Sequence, residues 1–153
     1  MTVDILTEIT IERPVVEVAA YAANPDHAPV WYANIKSVEW KTPRPAVVGT
    51  RVAFVAHFLG RRLAYTYEIV ELLLPERVIM RTAEGPFPME TTYTWTVTPE
   101  GFTSMTLRNR GTPSKSRSLT VRLMADAMRR ANRKDLVRLK ALLEGGGRSH
   151  ATE

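Results

Sequence analysis

Much of the chain shows the alternation of apolar and polar residues that is typical of β-strands. The alternation is clearest over Met89–Thr98, where odd positions hold Met, Thr, Tyr, Trp and Val, and even positions hold one Glu and four Thr. Gly60-Arg61 separates two long strands and is predicted to be their hairpin turn. Seven strands are predicted in all: Thr2–Glu12, Ser37–Lys41, Thr50–Leu59, Arg62–Leu73, Val78–Ala83, Met89–Thr98 and Phe102–Arg110.

Helical signals occupy the two regions outside this alternation. Pro14 suits the first turn of a helix, and Asn24-Pro25-Asp26 is a capped helix start. Gly145-Gly146-Gly147 is expected to end the last helix, and we predict that residues 145–153 form a disordered tail. The predicted helices are Val15–Ala22, Asn24 to about Ala33, and Ser118–Leu143, the last with apolar residues at helical spacing.

The order of these elements predicts an α+β fold with one domain over residues 1–144. Consecutive strands joined by short turns favour an antiparallel sheet of about seven strands, with one face in solvent. The terminal helix is the only large amphipathic element available to cover the other face. A curved sheet wrapped around one long helix leaves space at one end, so the sequence predicts an internal cavity.

Composition narrows the classes of function. A chain of 153 residues with 44% hydrophobic residues can build one core, and the lack of cysteine excludes disulfides, thiol catalysis and iron–sulfur clusters. No apolar run is long enough to span a bilayer, and the N-terminus lacks the features of a signal peptide. We therefore expect a cytoplasmic protein with no integral membrane association.

The net charge of +5 is concentrated in the last helix. Residues 115–144 hold nine basic and three acidic residues, so the rest of the chain is close to neutral. Such a helix could dock on an anionic membrane, but its apolar side is needed for the core, and a solvated outer face is favoured. No aromatic residues lie between the basic ones, so we expect no nucleic-acid binding.

Several segments together resemble the START-like helix-grip superfamily (SRPBCC), and in particular its polyketide cyclase/dehydrase branch. The resemblance covers about residues 3–144 and depends on the order of the segments. It implies the helix-grip fold, with a cavity between sheet and helix that holds an apolar or amphipathic small molecule, but it implies no shared catalytic set. The segments are Gly49–Val52, Phe58–Arg62, Tyr65–Glu71, Gly85–Met89, Tyr93–Trp95 and Asn132–Leu136.

Two functions are predicted for such a cavity. The first is binding of a small hydrophobic or aromatic ligand by a wall of aromatic and methionine side chains. The second is a polyketide cyclase or dehydratase (aromatase-type) that uses general acid–base groups in the cavity. An exposed edge strand could also support a homodimer. The predicted wall consists of Trp31, Phe54, Phe58, Tyr67, Tyr93, Trp95, Met105, Met124 and Met128.

Few residues offer chemistry, and no catalytic set emerges. His57, Arg81 and Asp135 are the candidates, with His57 on the outer surface if the Phe54 face of its strand points inward. Asn132 and Asp135 share the apolar stripe of the last helix, so they face either the cavity or its rim; a desolvated Asp135 would have a raised pKa. His27 could lie near the mouth of the cavity or on the surface. No metal-ligand or phosphate-loop motif is present, and we expect no cofactor.

Overall fold

The computed structural model describes residues 2–112 and 118–152, with side chains over 2–112 and 119–145. Two short helices and a single 3-10 turn, Pro25–His27, follow the first strand, and one long helix ends the described chain. The strands are β1 Val3–Ile11, β2 Ile35–Trp40, β3 Arg51–Phe58, β4 Arg61–Leu73, β5 Arg77–Glu84, β6 Met89–Val97 and β7 Thr103–Gly111. The helices are α1 Val15–Ala22, α2 Ala28–Trp31 and α3 Ser118–Thr152.

The seven strands form one antiparallel sheet in the order β1-β7-β6-β5-β4-β3-β2. Strands β2 to β7 are joined as consecutive hairpins, and β1 pairs with β7 along its whole length. Register shifts in β4 at Thr66/Tyr67 and Ile69/Glu71 are the irregularities that let a long strand bend. The predicted α+β fold, with its sheet, long helix and two short helices, is confirmed.

The β3–β4 hairpin turn is one residue earlier than predicted. The two turn residues are Leu59 and Gly60, both with positive φ (52° and 74°), and Phe58 pairs with Arg61. Positive φ at both central positions is the pattern of a type I′ turn, whose twist matches that of the flanking strands. The predicted turn Gly60-Arg61 is therefore wrong, because it assumed that glycine comes first.

The inner face of the sheet and one side of α3 form the core. Along β6, Met89, Thr91, Tyr93 and Trp95 are buried, as their alternation predicts, whereas Val97 is exposed. Leu136 and Leu139 of α3 pack in one hydrophobic cluster with Tyr93 and Trp95. Burial of each leucine side chain contributes about 1.5–3 kcal/mol to the stability of the fold. Near the start of α3, Val121 packs on Val3 and Ile5 of β1. The helix is thereby packed against the sheet near its start and over its middle.

The short helices begin where the sequence indicates. The Asn24 side chain accepts a hydrogen bond from the Asp26 amide (3.0 Å), which caps the 3-10 turn that leads into α2.

Helix α3 continues through the three glycines to Thr152, so the predicted end at Gly145 is wrong. Disorder of residues 145–153 stays a prediction. In the described ranges, no helix has the length and apolar character needed to cross a membrane.

Candidate functional site

A cavity of about 200 Å³ lies between the inner face of the sheet, the short helices and α3. Its wall is formed by apolar and aromatic side chains from strands β3 to β6 and from α3, with a few polar groups. Six of the nine residues predicted from the sequence line it: Phe54, Phe58, Tyr67, Tyr93, Met124 and Met128. The two methionines lie on the α3 side, opposite the aromatic residues of the sheet.

The other three predicted wall residues lie in the core instead. Trp31, Trp95 and Met105 are almost fully buried and belong to the main hydrophobic cluster, and none of them lines the cavity. Trp31 stacks on Tyr32, with ring centroids 4.0 Å apart. The next residue along the chain, Tyr32, takes the wall position. The alternation predicted which residues point inward, but it could not distinguish inward residues that line the cavity from those that pack against other side chains.

Asp135 is the one carboxyl group on the cavity wall of the described chain. It is 3% exposed, and its Oδ1 accepts a hydrogen bond from the Ala33 amide at 3.1 Å. Burial raises the pKa of Asp135 to about 6, although the Ala33 amide and the charge of Arg138 act in the opposite direction. This hydrogen bond also links α3 to the end of the segment that carries the short helices (residues 15–33, the short-helix segment).

Two tyrosine hydroxyls meet beside Asp135. Tyr32 Oη and Tyr93 Oη are 2.5 Å apart, so one hydroxyl donates to the other. Burial raises the pKa of both phenols, and the charge of Asp135 raises each further, so both stay protonated at neutral pH. This pair can position or donate a proton, but it cannot serve as a base.

Three more polar side chains of the wall lie on the sheet. The Thr91 hydroxyl donates to Asn109 Oδ1 at 2.9 Å, which joins β6 to β7 across the sheet. Tyr67 hydrogen-bonds to Thr91, and burial nevertheless raises the pKa of Tyr67 well above its ordinary value. Thr91 and Asn109 were missed by sequence reasoning, although Thr91 lies on the inward face that the alternation of β6 defines, and Asn109 is its partner on β7.

Asn132 lies on the cavity wall one helical turn before Asp135. The residue is only 6% exposed, and its Nδ2 is buried with no hydrogen-bond partner in the described structure. A buried amide donor without an acceptor is destabilising by about 1–3 kcal/mol. The sequence left open whether Asn132 and Asp135 face the cavity or its rim. In the structure both residues lie on the cavity wall.

The remaining candidates lie outside the cavity. His57 is exposed on the outer face of β3, opposite the inward Phe54. Arg81 is exposed as well and pairs with Glu90 at 2.8 Å. His27 stacks on Tyr21, and its Nδ1 lies 2.9 Å from the Tyr21 carbonyl oxygen. No described lysine, arginine or histidine lines the cavity, and no described group of three His, Asp or Glu could hold a metal ion.

A second cavity of about 270 Å³ lies on the other side of the short-helix segment. Ala23, Asn24 and Pro25 line both cavities. Its polar side chains hydrogen-bond within the protein: Asp26 accepts from Trp40 Nε1 (2.8 Å) and from Arg44 (2.9 and 3.2 Å), and Asn24 Oδ1 accepts from the Asp26 amide. Because these groups satisfy each other, the second cavity offers less to a ligand than the first.

The sheet wrapped around α3, with a mostly apolar cavity between them, is a helix-grip fold. The model of the family described as polyketide cyclase / dehydrase and lipid transport matches residues 2–144. The chain therefore belongs to this family. No curated protein sequence matches the chain.

Solved structures support the fold assignment. The chain is similar to TTHA0849 from Thermus thermophilus, with a TM-score of 0.79, 19% identity, and coverage of 94% of this chain and 98% of that one. A START superfamily protein from Mycobacterium smegmatis has a TM-score of 0.77 at 10% identity, covering 91% and 98%. The Zhui aromatase/cyclase from Streptomyces sp. R1128 has a TM-score of 0.79 at 14% identity, covering 94% of both chains. At these identities the likeness shows the fold alone.

Proposed function

We propose that this protein binds a small, mostly apolar molecule in the cavity between the sheet and α3. The observation that carries the proposal is the character of the wall, which is aromatic and aliphatic except for a few polar groups. A mostly apolar cavity with a few polar groups is the usual form of a small-molecule site. The matching family, described by its cyclase, dehydrase and lipid-transport members, agrees with such a ligand.

The flexible side chains of the wall would let the cavity adapt to its ligand. Met124 and Met128 face the aromatic rings of Phe54 and Tyr67 across the cavity, and thioethers pack well against aromatic surfaces. Phe54 and Tyr67 meet edge to face, with ring centroids 6.0 Å apart. An aromatic or aliphatic ligand would be held mainly by burial of its apolar surface.

A second candidate function is acid–base catalysis of the kind a polyketide cyclase or dehydratase performs. One observation favours it: a carboxyl group whose pKa is raised to about 6 lies beside a pair of protonated tyrosines. Asp135 would be the base and one tyrosine the acid. Binding remains the first proposal because Asp135 is the wall's one group, among the described residues, that titrates near neutral pH.

The binding proposal is tested by titrating naphthalene into the purified protein and measuring heat or a mass shift in native mass spectrometry. Ala131 lines the cavity from α3, so the Ala131→Phe variant should fill it and weaken naphthalene binding by about tenfold or more. Ala141→Phe, at an exposed position of the same helix, is the matched control and should bind like the wild type. Equal weakening in both variants, or no binding to the wild type, would contradict the proposal.

The catalytic candidate needs a separate measurement. A reactive poly-β-ketone mimic would be incubated with the wild type and with Asp135→Asn, and the rate of cyclised product formation would be compared. Loss of turnover in the variant, with naphthalene binding retained, would favour catalysis over binding alone. The cytoplasmic location and the homodimer stay predictions from the sequence.

A further inference from the structure

Asn132 is the one residue lining the cavity, among those described, that has a buried side-chain nitrogen without a hydrogen-bond partner. Its Nδ2 is buried, has no acceptor, and belongs to a residue on the cavity wall. Trp31 and Trp95 also bury an unpaired nitrogen, but neither residue lines the cavity. An acceptor brought by a ligand would therefore meet a donor at Asn132 that the protein itself leaves free.

Asp135 offers the complementary group from the same side of the cavity. Asn132 and Asp135 are three residues apart on α3, a spacing that places two side chains next to each other on one helix face. Only the Asp135 Oδ1 has a hydrogen-bond donor, the Ala33 amide, in the described structure. The second carboxylate oxygen can accept a hydrogen from a ligand.

A hydroxyl group satisfies both residues at once. Its oxygen accepts a hydrogen bond from Asn132 Nδ2, and its hydrogen is donated to Asp135. The Tyr32–Tyr93 pair next to Asp135 supplies one further O–H, because only one of its two hydrogens is used between the rings. A ketone or ether would satisfy Asn132 but leave the carboxylate without a donor.

The charges around the cavity exclude an acidic head group. No lysine, arginine or histidine lines it in the described structure, so a ligand carboxylate would be desolvated beside the carboxylate of Asp135 without a counter-ion. Arg138, on the same helix, is turned elsewhere, and its Nε donates to the Val30 carbonyl oxygen at 2.7 Å.

We infer that Asn132 and Asp135 form a head-group subsite for a neutral hydroxyl, so that the cavity takes uncharged alcohols or phenols and rejects carboxylates. This inference depends on the proposed function, because it names the ligand class of the same cavity. The rest of the wall is mostly apolar, and its polar side chains Thr91 and Asn109 are hydrogen-bonded to each other.

Three probes with one ring system test the inference: 2-naphthol, naphthalene and 2-naphthoate, each titrated by calorimetry at about pH 8, where Asp135 is ionised. We expect 2-naphthol to bind about tenfold more tightly than naphthalene, the gain of one or two hydrogen bonds to a buried site. We expect 2-naphthoate to bind at least about tenfold more weakly than naphthalene. In Asn132→Leu and Asp135→Asn the preference for 2-naphthol over naphthalene should shrink.

Phe58→Leu is the control, since it alters the apolar wall away from the subsite and should change all three affinities by a similar factor. Equal binding of 2-naphthol and naphthalene by the wild type would overturn the inference and leave the proposed function standing. Tightest binding of 2-naphthoate would overturn the inference as well. If no probe binds, both proposals fail. The ranking of the three probes by the wild type decides the matter even if a variant does not fold.

Discussion

Two aspartates hold the short-helix segment, one at each side, and their surroundings differ in almost every respect. Asp26, at the 3-10 turn, accepts hydrogen bonds from Trp40 and from Nε and Nη2 of Arg44, and its side chain is 38% exposed. Asp135 on α3 is buried and has one backbone amide as its partner. The hydrogen bonds from Arg44 and Trp40 lower the pKa of Asp26, whereas burial raises the pKa of Asp135 to about 6.

The difference separates a structural carboxylate from one that remains available to a ligand. Asp26 is fully engaged by side chains of the β2–β3 region, so its charge fastens the segment that lines both cavities. Asp135 fastens the same segment through Ala33 but keeps one oxygen free at the cavity wall. Groups whose pKa is shifted by burial in a cavity are candidates for function.

The largest expected effect is the contribution of Asp135 to the pH dependence of the protein's stability. Because its folded-state pKa is raised from 3.8 to about 6, the folded protein binds more protons than the unfolded chain between these values. The free energy of unfolding should therefore fall as pH rises from about 4 to about 6, by up to about 3 kcal/mol from this group. Urea unfolding of the wild type and of Asp135→Asn measures the difference.

In this comparison Asp135→Asn has no titrating group but keeps an oxygen for the Ala33 amide. The two proteins should have similar stability below about pH 4, and the variant should be more stable at about pH 8. A variant that is less stable than the wild type at about pH 8 would show that the carboxylate is satisfied within the fold.

The contrast extends to two asparagines on the same wall. Asn132 has an unpaired buried donor, so Asn132→Leu should raise the free energy of unfolding by about 1 kcal/mol. Asn109 accepts a hydrogen bond from Thr91, so Asn109→Leu should lower it by about 1–2 kcal/mol. Thermal and urea unfolding of the ligand-free proteins checks both, and a loss of stability in Asn132→Leu would contradict an unmet donor at that position.

Removing the charge of Asp26 should change the pH dependence of the free energy of unfolding in the opposite direction to removing the charge of Asp135. A lowered pKa contributes stability that is present above the unfolded-state pKa and lost as pH falls through the folded-state value. Asp26→Asn should therefore be less stable than the wild type at about pH 8, by about 1 kcal/mol because the pair is partly exposed and screened. Urea unfolding at low and high salt measures it, and a deficit that grows with salt would contradict an ion pair.

The smallest effects are expected at the two candidates that lie outside the cavity. His57→Ala and Arg81→Ala remove exposed side chains from the outer face of the sheet and should change stability by less than about 0.5 kcal/mol. Neither should change the affinity for 2-naphthol, measured as for the other variants. A clear loss of binding in His57→Ala would place a ligand on the outer face.

Short-range patterns in the sequence were enough to predict the sheet, the short helices and the presence of a cavity. The alternation in β6 predicts which residues point inward, and the spacing in α3 places Met124, Met128, Asn132 and Asp135 on one stripe. Both features depend on residues close in the chain, because strand and helix geometry repeat over two and about 3.6 residues. The predicted hairpin turn and the predicted end of α3 were wrong, because a single residue or a short run of glycines is only a weak signal for the position of a turn or a helix end.

The tertiary structure decided which inward residues meet the cavity and which meet other side chains. Trp95 and Tyr93 share one face of β6 and belong to one core cluster, yet only Tyr93 also lines the cavity, where it hydrogen-bonds to Tyr32. The pKa of Asp135 is likewise set by burial and by an amide 102 positions earlier in the chain. Local periodicity determines the direction of a side chain, whereas solvation and hydrogen bonding depend on contacts between distant segments, and those contacts form only when the chain folds.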